Sequence, residues 1–350
     1  MNESFLINKY LKPLTKNNPS ALNLNDDIFF DPKKKLAVSV DTYVEGVHFV
    51  DSNNPKKFIK KIFRSSLSDL YCKGIKPTSY FLSLALNTKQ VKTKWLNDLN
   101  QILKKEQKKF SISLSGGDTT YSSKLIITVI VVGYSKNKPV FRHNCNLHDD
   151  IYVSGNIGDS FLGLNVIKKI KNFGKLNSYF TKKYYEPDLQ VKFSFFLNKI
   201  ASSSVDVSDG LGLNIQDLIH KKKYGALINL NNLPLSNEAR SLVKNKKIKI
   251  KNIFSKGDDY QILFTSNQKN RIKIDRMSKR LKIKLTKIGI ITRDKAIIFK
   301  VNKKKFTLNN EKMGYIHQFN WIFLLPFINF FGSLRFLIWL CLNKWLIYFI

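Results

Sequence analysis

Residues 110–134 read FSISLSGGDTTYSSKLIITVIVVGY, and the fold turns on them. Phe110–Leu114 alternates apolar and polar residues, which predicts a strand closed by a turn at Ser115-Gly116-Gly117. Leu125–Tyr134 is an almost continuous β-branched run, the pattern of a buried strand. Working upstream, Thr93–Lys109 is an amphipathic helix and Ser79–Leu86 alternates as a strand. Pro55–Gly74 carries Phe58, Ile62, Phe63, Leu67 and Leu70 at helical spacing. Leu36–Val40 is a short apolar strand closed by Asp41, and Ile28-Phe29-Phe30 is strand-like. These elements define a first unit of mixed α/β character, residues 1–143.

Downstream the same logic of strand, Gly/Asp turn and helix returns. Ile151–Ser154 is a strand, Gly155–Asp159 a turn and Ser160–Ile170 a helix. Gly155-Asn156-Ile157-Gly158 has the look of a phosphate loop, but reads better as a structural strand–helix turn. Pro187–Ala201 includes a helix, and Ser204–Val207 is a strand ending in Ser208-Asp209-Gly210. Leu211–His220 is helical, while Ala226–Leu230, Gln261–Thr265, Leu285–Ile291 and Ala296–Val301 are strands. There is no fixed-period repeat. The expected fold class is α+β in two domains, residues 1–143 and 144–317, within the 350-residue chain.

Sixty Lys+Arg against 25 Asp+Glu give a net charge of +35. Such a charge invites a nucleic-acid-binding reading. The lysines, however, lie in every segment, with no single stripe and no helix-turn-helix, zinc-finger or RNP pattern. They read as solvated surface in a Lys-, Asn-, Ile- and Phe-rich composition, and the positive field would also serve a polyphosphate substrate. Three widely spaced cysteines exclude a disulfide framework and a zinc ribbon. The first thirty residues hold no apolar signal-peptide core, so a cytoplasmic protein is expected. Residues 318–350 form an apolar extension. It is uncharged from Trp321 to Leu334, then carries Arg335 and Lys344. Three readings stand for it: a membrane-associated hairpin or helix, a partner-docking element, or an extension without a selected role.

With acids scarce, their placement is informative. Asp41, Asp118, Asp206, Asp209 and the pair Asp258-Asp259 sit where apolar strands run out. Asp26-Asp27 precede a strand, and Asp69 interrupts an apolar helical pattern. One such Asp is ordinarily a turn residue or an N-cap, and Asp69 alone would be a solvated helix position. Taken together they point to hard cations, because Mg2+ takes oxygen ligands and substrate phosphates. No His/Cys spacing supports zinc. Neither G-x-x-x-x-G-K-[ST], G-x-G-x-x-G nor G-x-S-x-G occurs. The chemistry that fits is metal-dependent handling of a nucleotide triphosphate.

In order and spelling, NDD (25–27), SVDTYVEGVHF (39–49), SLSDLYCKG (66–74), SGGDTT (115–120), VDVSDG (205–210) and KGDDYQILF (256–264) resemble thiamine-monophosphate kinase. The resemblance runs from about residue 5 to 317. It implies a fold similar to aminoimidazole ribonucleotide synthetase, with a dimer-forming sheet in the N-terminal domain and a C-terminal α+β domain. It implies phosphorylation of thiamine monophosphate by ATP with several Mg2+ ions, by direct in-line transfer, in a homodimer. Metal ligands carried over are Asp27, Asp41, Asp69, Asp118, Asp206 and Asp209, with oxygens of Ser39 and Val40. Gly116, Gly117, Arg142 and Ser208 match ATP contacts. His48, Asp258 and Tyr315 match thiamine-monophosphate contacts. No catalytic base is required, and Asp209 is the one candidate for a catalytic residue. Asn25, Asp258, Gln261 and Lys312 depart from the family's usual residues. Two rival readings are another ATP-dependent synthetase of the same superfamily and a basic nucleic-acid-binding protein.

Overall fold

The β-branched run becomes the central strand of a five-stranded sheet in the computed structural model, which describes residues 3–219, 222–309 and 313–317. The strands are β1 (Phe29–Asp31), β2 (Leu36–Val44), β3 (Lys76–Leu86), β4 (Ser113–Tyr121) and β5 (Ile126–Tyr134), in the order β1-β2-β5-β3-β4. β5 is antiparallel to both β2 and β3, and β4 lies parallel to β3 at the edge. A second, seven-stranded sheet takes β6 (Asp150–Ser154), β7 (Ser203–Asp206), β8 (Gly225–Asn229), β9 (Ile262–Ser266), β10 (Leu285–Thr292), β11 (Ile297–Val301) and β12 (Lys304–Phe306), in the order β12-β11-β8-β10-β6-β9-β7.

Ten helices occur among the described residues: α1 (Glu3–Leu6), α2 (Pro55–Tyr71), α3 (Thr93–Phe110), α4 (Asp159–Ile167), α5 (Asn177–Tyr185), α6 (Val191–Ser194), α7 (Leu211–Ile219), α8 (Asn237–Lys244), α9 (Ile250–Phe254) and α10 (Arg271–Leu281). α2 starts cleanly because the Asn54 side chain accepts from the Lys56 N–H and Pro55 occupies the first turn. Gly74, at φ +78°, reverses the chain just past its end. From Phe58 onward α2 is buried on nearly all sides. It therefore carries Arg64 into the interior, where the guanidinium grips both oxygens of Glu106 on α3, at 2.7 and 3.0 Å. Arg64 also donates to the Pro187 carbonyl at 3.1 Å, which ties the first core to the chain after α5.

Three readings of the sequence are corrected here. Ser115-Gly116-Gly117 is not a turn: β4 runs straight through it to Tyr121. A Cβ on Gly117 would lie 1.9 Å from the Leu82 carbonyl oxygen, so glycine is needed for β4 to press against β3. β2 likewise continues past Asp41 to Val44. The β5 run is buried on one face only: Ile127, Val129 and Val131 are buried, while Ile126, Thr128, Ile130 and Val132 are half-exposed. Between Pro187 and Ala201 only the one-turn α6 and a short 3-10 turn form. α5, α8, α9 and α10 went unread: they are short, five to eleven residues, and lysine-rich stretches flank or interrupt their apolar positions. The extension 318–350 and Lys312 lie outside the described residues, among which no helix is long and apolar enough to cross a membrane.

Candidate active site

Strand register decides which acids can meet. Across the first sheet, Asp41 aligns with Val129, Val129 with Leu82, and Leu82 with Gly117. Val129 is buried, so this row faces the core and α2, and Asp41 points that way. The next row, Thr42, Thr128, Ser83 and Asp118, faces outward; there the hydroxyls of Thr42 and Thr128 sit 2.9 Å apart in an exposed position. Asp118 is therefore on the opposite face from Asp41. Three strand spacings, about 14 Å, also separate them.

The inward row builds an acidic cup. Tyr43, two residues beyond Asp41, donates its hydroxyl to Asp41 Oδ2 at 3.1 Å. That hydroxyl is seated 2.6 Å from Ser65 Oγ and 3.0 Å from Ser66 Oγ on α2. One turn on, Ser68 donates to Asp206 Oδ2 at 2.7 Å, joining α2 to β7 of the second sheet. Asp69 follows on the same helix, and Asp209 stands at the mouth, in the turn after β7. Burial, less the Tyr43 hydrogen bond, and the charge of Asp27 push Asp41 up to about 6. Burial and then Asp27 push Asp206 up to about 7. The protein packed around Asp209, then Asp217 and Asp206, bring it to about 8. Asp69 is driven well above the usual carboxylate range by burial and by Asp41 and Asp206. Burial raises all four carboxyls first, neighbouring acids raise them further, and among the described residues no Lys or Arg pairs with any of them.

Asp26 and Asp27, at the cup's edge, are the opposite case. Lys73 Nζ lies 2.8 Å from Asp26 Oδ1 and 2.7 Å from Asp27 Oδ2. Arg142 grips Asp27 through Nε at 3.0 Å and through Nη2, while its backbone N–H donates to Asp26 Oδ2 at 2.9 Å. Burial pushes Asp27 upward, but Arg142 and Lys73 outweigh it and hold the carboxyl at about 2. Cys72 Sγ comes within 4.8 Å of carboxylate oxygens of Asp27 and Asp206. Burial keeps that thiol protonated, and it donates to the Asp69 carbonyl, so it is no ligand for a hard ion.

A second cluster of side chains adjoins the cup through Tyr43, whose ring meets His48 edge-on at 5.7 Å. Val44 N–H donates to His48 Nδ1 at 3.0 Å, which leaves Nε2 as the ring's N–H donor. Burial, then His317 and Lys61, depress His48 and keep the ring neutral. Asp258 accepts from Tyr260 at 2.9 Å and pairs with the buried Lys61 at 2.9 Å. Lys61 in turn donates to the His48 carbonyl at 3.3 Å and lies 3.9 Å from the centre of the Tyr184 ring. His317 stands 5.5 Å from His48 and 4.9 Å from the half-exposed Tyr315 ring.

The cup and this cluster are held in register by backbone. Asp258 N–H donates to the Ser208 carbonyl, Tyr260 N–H to Val207 and Tyr315 N–H to Asp209. Gly257 permits the approach, since a Cβ there would lie 1.7 Å from the Ser208 carbonyl oxygen. The Gly155–Gly158 turn is committed elsewhere: the N–H groups of Gly158 and Ser160 donate to buried Asp259, as a structural turn should. Gln261 faces away from Asp258, accepting from Ser154 and donating to the Asp188 carbonyl.

The structure thus assembles Asp27, Asp41, Asp69, Asp206 and Asp209 with Arg142, and sets His48, Asp258 and Tyr315 beside them. Ser39 is on the same inward face as Asp41. Val40 is 60% exposed on the outer face, so only its backbone could reach the cup. Ser208 sits between Asp206 and Asp209. Asp118, Gly116 and Gly117 lie on the edge strand, outside this chain's cup. Lys61, Lys73, Tyr43 and Ser68 were missed. The one available signal was that Lys61 and Arg64 interrupt the apolar face of α2.

The donor set fits Mg2+: all-oxygen, crowded with carboxylates, and backed by the buried Ser39 Oγ, which has no hydrogen-bond partner. Fold and comparison agree on the class. Residues 24–135 match the family model "AIR synthase related protein, N-terminal domain". The curated thiamine-monophosphate kinase of Buchnera aphidicola subsp. Schizaphis graminum is 34% identical over 327 residues, covering 90% of this chain and 98% of that protein. The solved thiamine monophosphate kinase of Aquifex aeolicus superposes with a TM-score of 0.71 at 26% identity, covering 85% of this chain and 97% of that one. AaThiL complexed with AMPPCP and TMP gives a TM-score of 0.74 at 24% identity, covering 87% and 96%. The class is an AIR synthase-type two-sheet enzyme. Within it, the chain belongs to the thiamine-monophosphate kinase family.

Proposed function

We propose that this protein transfers the γ-phosphoryl group of ATP to the phosphate of thiamine monophosphate, giving thiamine diphosphate and ADP. The reading rests on one observation: an acidic cup fit for Mg2+ and phosphates adjoins, through Tyr43 and His48, a cluster that carries a carboxylate, Asp258, and an exposed aromatic ring, Tyr315. The transfer is direct and in line, the acceptor phosphate oxygen attacking the γ-phosphorus. Several Mg2+ ions held by Asp41, Asp69, Asp206 and Asp209, with Ser39 and the Val40 carbonyl, would neutralise phosphate charge.

The chain's own groups do the positioning. Tyr43 fixes Asp41, and Ser68 fixes Asp206, so the cup is shaped before the nucleotide enters. Arg142 offers phosphate its outward N–H groups, since Nη1 is only loosely engaged by Asp217 at 3.9 Å. Ser208, in the same turn as Asp209, contacts nucleotide. His48 offers Nε2–H to the acceptor phosphate and stays neutral across the working range. Asp258 and the Tyr315 ring present a carboxylate and a π face to the thiazolium cation. No general base is needed, because a phosphate monoester is already anionic near neutrality.

Asp118, Gly116 and Gly117 enter through a homodimer. The outward face of the first sheet exposes Val40, Phe81 and Tyr134, and β4 is an open edge that exposes Leu114 and Tyr121 as well. A second copy covering that face would bring its Asp118 and glycines to the neighbouring nucleotide. An ATP-consuming step of this kind belongs in the cytoplasm. The test is one assay with purified protein and Mg-ATP. Thiamine monophosphate should yield ADP and thiamine diphosphate in equal amounts, whereas thiamine and an aminoimidazole ribonucleotide-type substrate should yield neither. Turnover of either alternative in place of thiamine monophosphate would overturn the reading.

A further inference from the structure

We propose that the Lys73 ammonium takes the place of a divalent cation at the Asp26–Asp27 pair, so that Asp27 is a fixed ion-pair partner in this chain and not a metal ligand. The proposal rests on reading the cup as a metal site, and removes one ligand from it.

Lys73 is not a swinging surface lysine. It follows the end of α2, its side chain is fully buried, and its backbone carbonyl accepts from Val140 N–H. Gly74, at φ +78°, locks the turn that aims it inward. An ammonium has three N–H donors, and all three have acceptors: Asp26 Oδ1 at 2.8 Å, Asp27 Oδ2 at 2.7 Å and the Ser204 carbonyl at 2.8 Å. Each carboxylate oxygen is engaged as well. Asp26 Oδ1 also accepts from Asp27 N–H at 2.9 Å, and Asp26 Oδ2 accepts from Arg142 N–H at 2.9 Å. Asp27 Oδ2 also takes Arg142 Nε, and Asp27 Oδ1 takes Arg142 Nη2. Two anions face two cations, and every oxygen is engaged.

Mg2+ requires direct oxygen contact at about 2.1 Å. An ion on Asp27 Oδ2 would therefore stand beside an ammonium sharing the same oxygen, and one on Asp27 Oδ1 beside the Arg142 guanidinium, while a fully buried lysine has nowhere to withdraw. The remaining cup acids are in the reverse condition. Tyr43 and Ser68 give Asp41 and Asp206 neutral hydroxyl donors, and no cation pairs with them among the described residues. Metal ions accordingly belong on Asp41, Asp69, Asp206 and Asp209. Lys73 acts through its neighbours: it is a positioning residue that pins the 25–27 segment to β7 with a permanent single charge, present whether or not metal is bound.

The test counts ions. Mn2+ bound per chain is measured by electron paramagnetic resonance with AMPPCP present, for the full-length protein and Lys73→Met. The variant should bind one more ion than the wild type. Its melting temperature should fall below wild type in EDTA and rise more steeply with Mn2+. An unchanged count, with the same melting deficit in EDTA and in Mn2+, would show a merely structural lysine and overturn the proposal. If Lys73→Met yields no folded protein, Asp27→Asn in the otherwise wild-type chain decides. An unchanged count supports the proposal, and the loss of one ion refutes it. Neither readout depends on turnover, so failure here is distinct from failure of the kinase reading.

Discussion

Replacing Asp206 by Asn should make the metal-free protein more stable and the enzyme worse. Asp206 is 2% exposed, and its carboxyl is pushed from 3.8 to about 7 by burial and then by Asp27. The sign follows from linkage. A carboxyl that binds its proton more tightly when folded costs nothing below the unfolded value near 4. The cost grows as pH rises through the interval and is complete above about 7. The difference of roughly 3 units corresponds to about 4 kcal/mol at most. Asparagine keeps the acceptor for Ser68, whose hydroxyl donates to Oδ2 at 2.7 Å, and removes the charge. Allowing for relaxation of the neighbouring carboxylates once one charge is gone, the expected gain at pH 8 is roughly 2–4 kcal/mol, shrinking towards zero near pH 4.

Urea denaturation in EDTA, repeated between pH 4.5 and 8.5, measures this directly. Added Mg2+ should reverse the ranking, because bound ions stabilise the wild type by mass action and the variant less. Activity should fall by roughly 100-fold, the scale of losing one preorganised electrostatic group. If Asp206→Asn were less stable than wild type at pH 8, or differed from it equally at every pH, the picture of a cup strained by its own charge would be wrong.

Arg64→Ala should cost roughly 3–5 kcal/mol and lower the melting temperature in both EDTA and Mg2+, because it strands buried Glu106 without its partner; a loss under 1 kcal/mol would contradict the role given to that pair. Subunit mixing tests the placement of Asp118. Inactive Asp41→Asn and inactive Asp118→Asn proteins, unfolded and refolded together in equal amounts, should recover about a quarter of wild-type activity, since half the dimers then hold one complete site of two. No recovery would place Asp118 in its own chain's cup, against the strand register.

How far the sequence carried depended on the range of the interactions involved. Strands β2, β3, β5 and β6 were legible because their apolar periodicity is local, and so was helix α2. The SDG and GDDY acids were legible because they flank the strands β7 and β9, and the VDT acid because it breaks an apolar run, although β2 continues past it. SGGDT was misread because glycines ordinarily mark turns, whereas Gly117 is there for the closeness of Leu82. Which face Asp118 takes was beyond local reading: it depends on the irregularity in the β3–β4 register between Tyr80 and Phe81, a pairing between residues over thirty positions apart. Lys73, in YCKGIKP, looked like an ordinary basic residue at a helix C-terminus. Only the arrival of Asp26 and Asp27 from far up the chain makes it a buried counter-ion.

Charge pairing explains why the acids of the cup stand out. This chain has 60 Lys+Arg for 25 Asp+Glu, so a basic partner is the easiest thing for any acid to acquire. Several buried or half-buried acids elsewhere have done so: Asp150 with Arg271 and Lys287, Glu106 with Arg64, Asp258 with Lys61, and Asp26 and Asp27 with Lys73 and Arg142. Buried Asp149, Asp159 and Asp259 lack such partners, yet they accept hydroxyl or backbone donors: Asp149 takes the Asn146 N–H, and Asp159 and Asp259 accept two hydrogen bonds each. Asp41, Asp69, Asp206 and Asp209 are brought together from α2, β2, β7 and the turn after it, and among the described residues no lysine or arginine pairs with them. Leaving four neighbouring carboxylates unpaired in so basic a protein costs stability that any nearby lysine would recover. That cost is sustainable only if something other than a side chain completes the site, and divalent ions arriving with a polyphosphate do so while leaving the cup open to exchange.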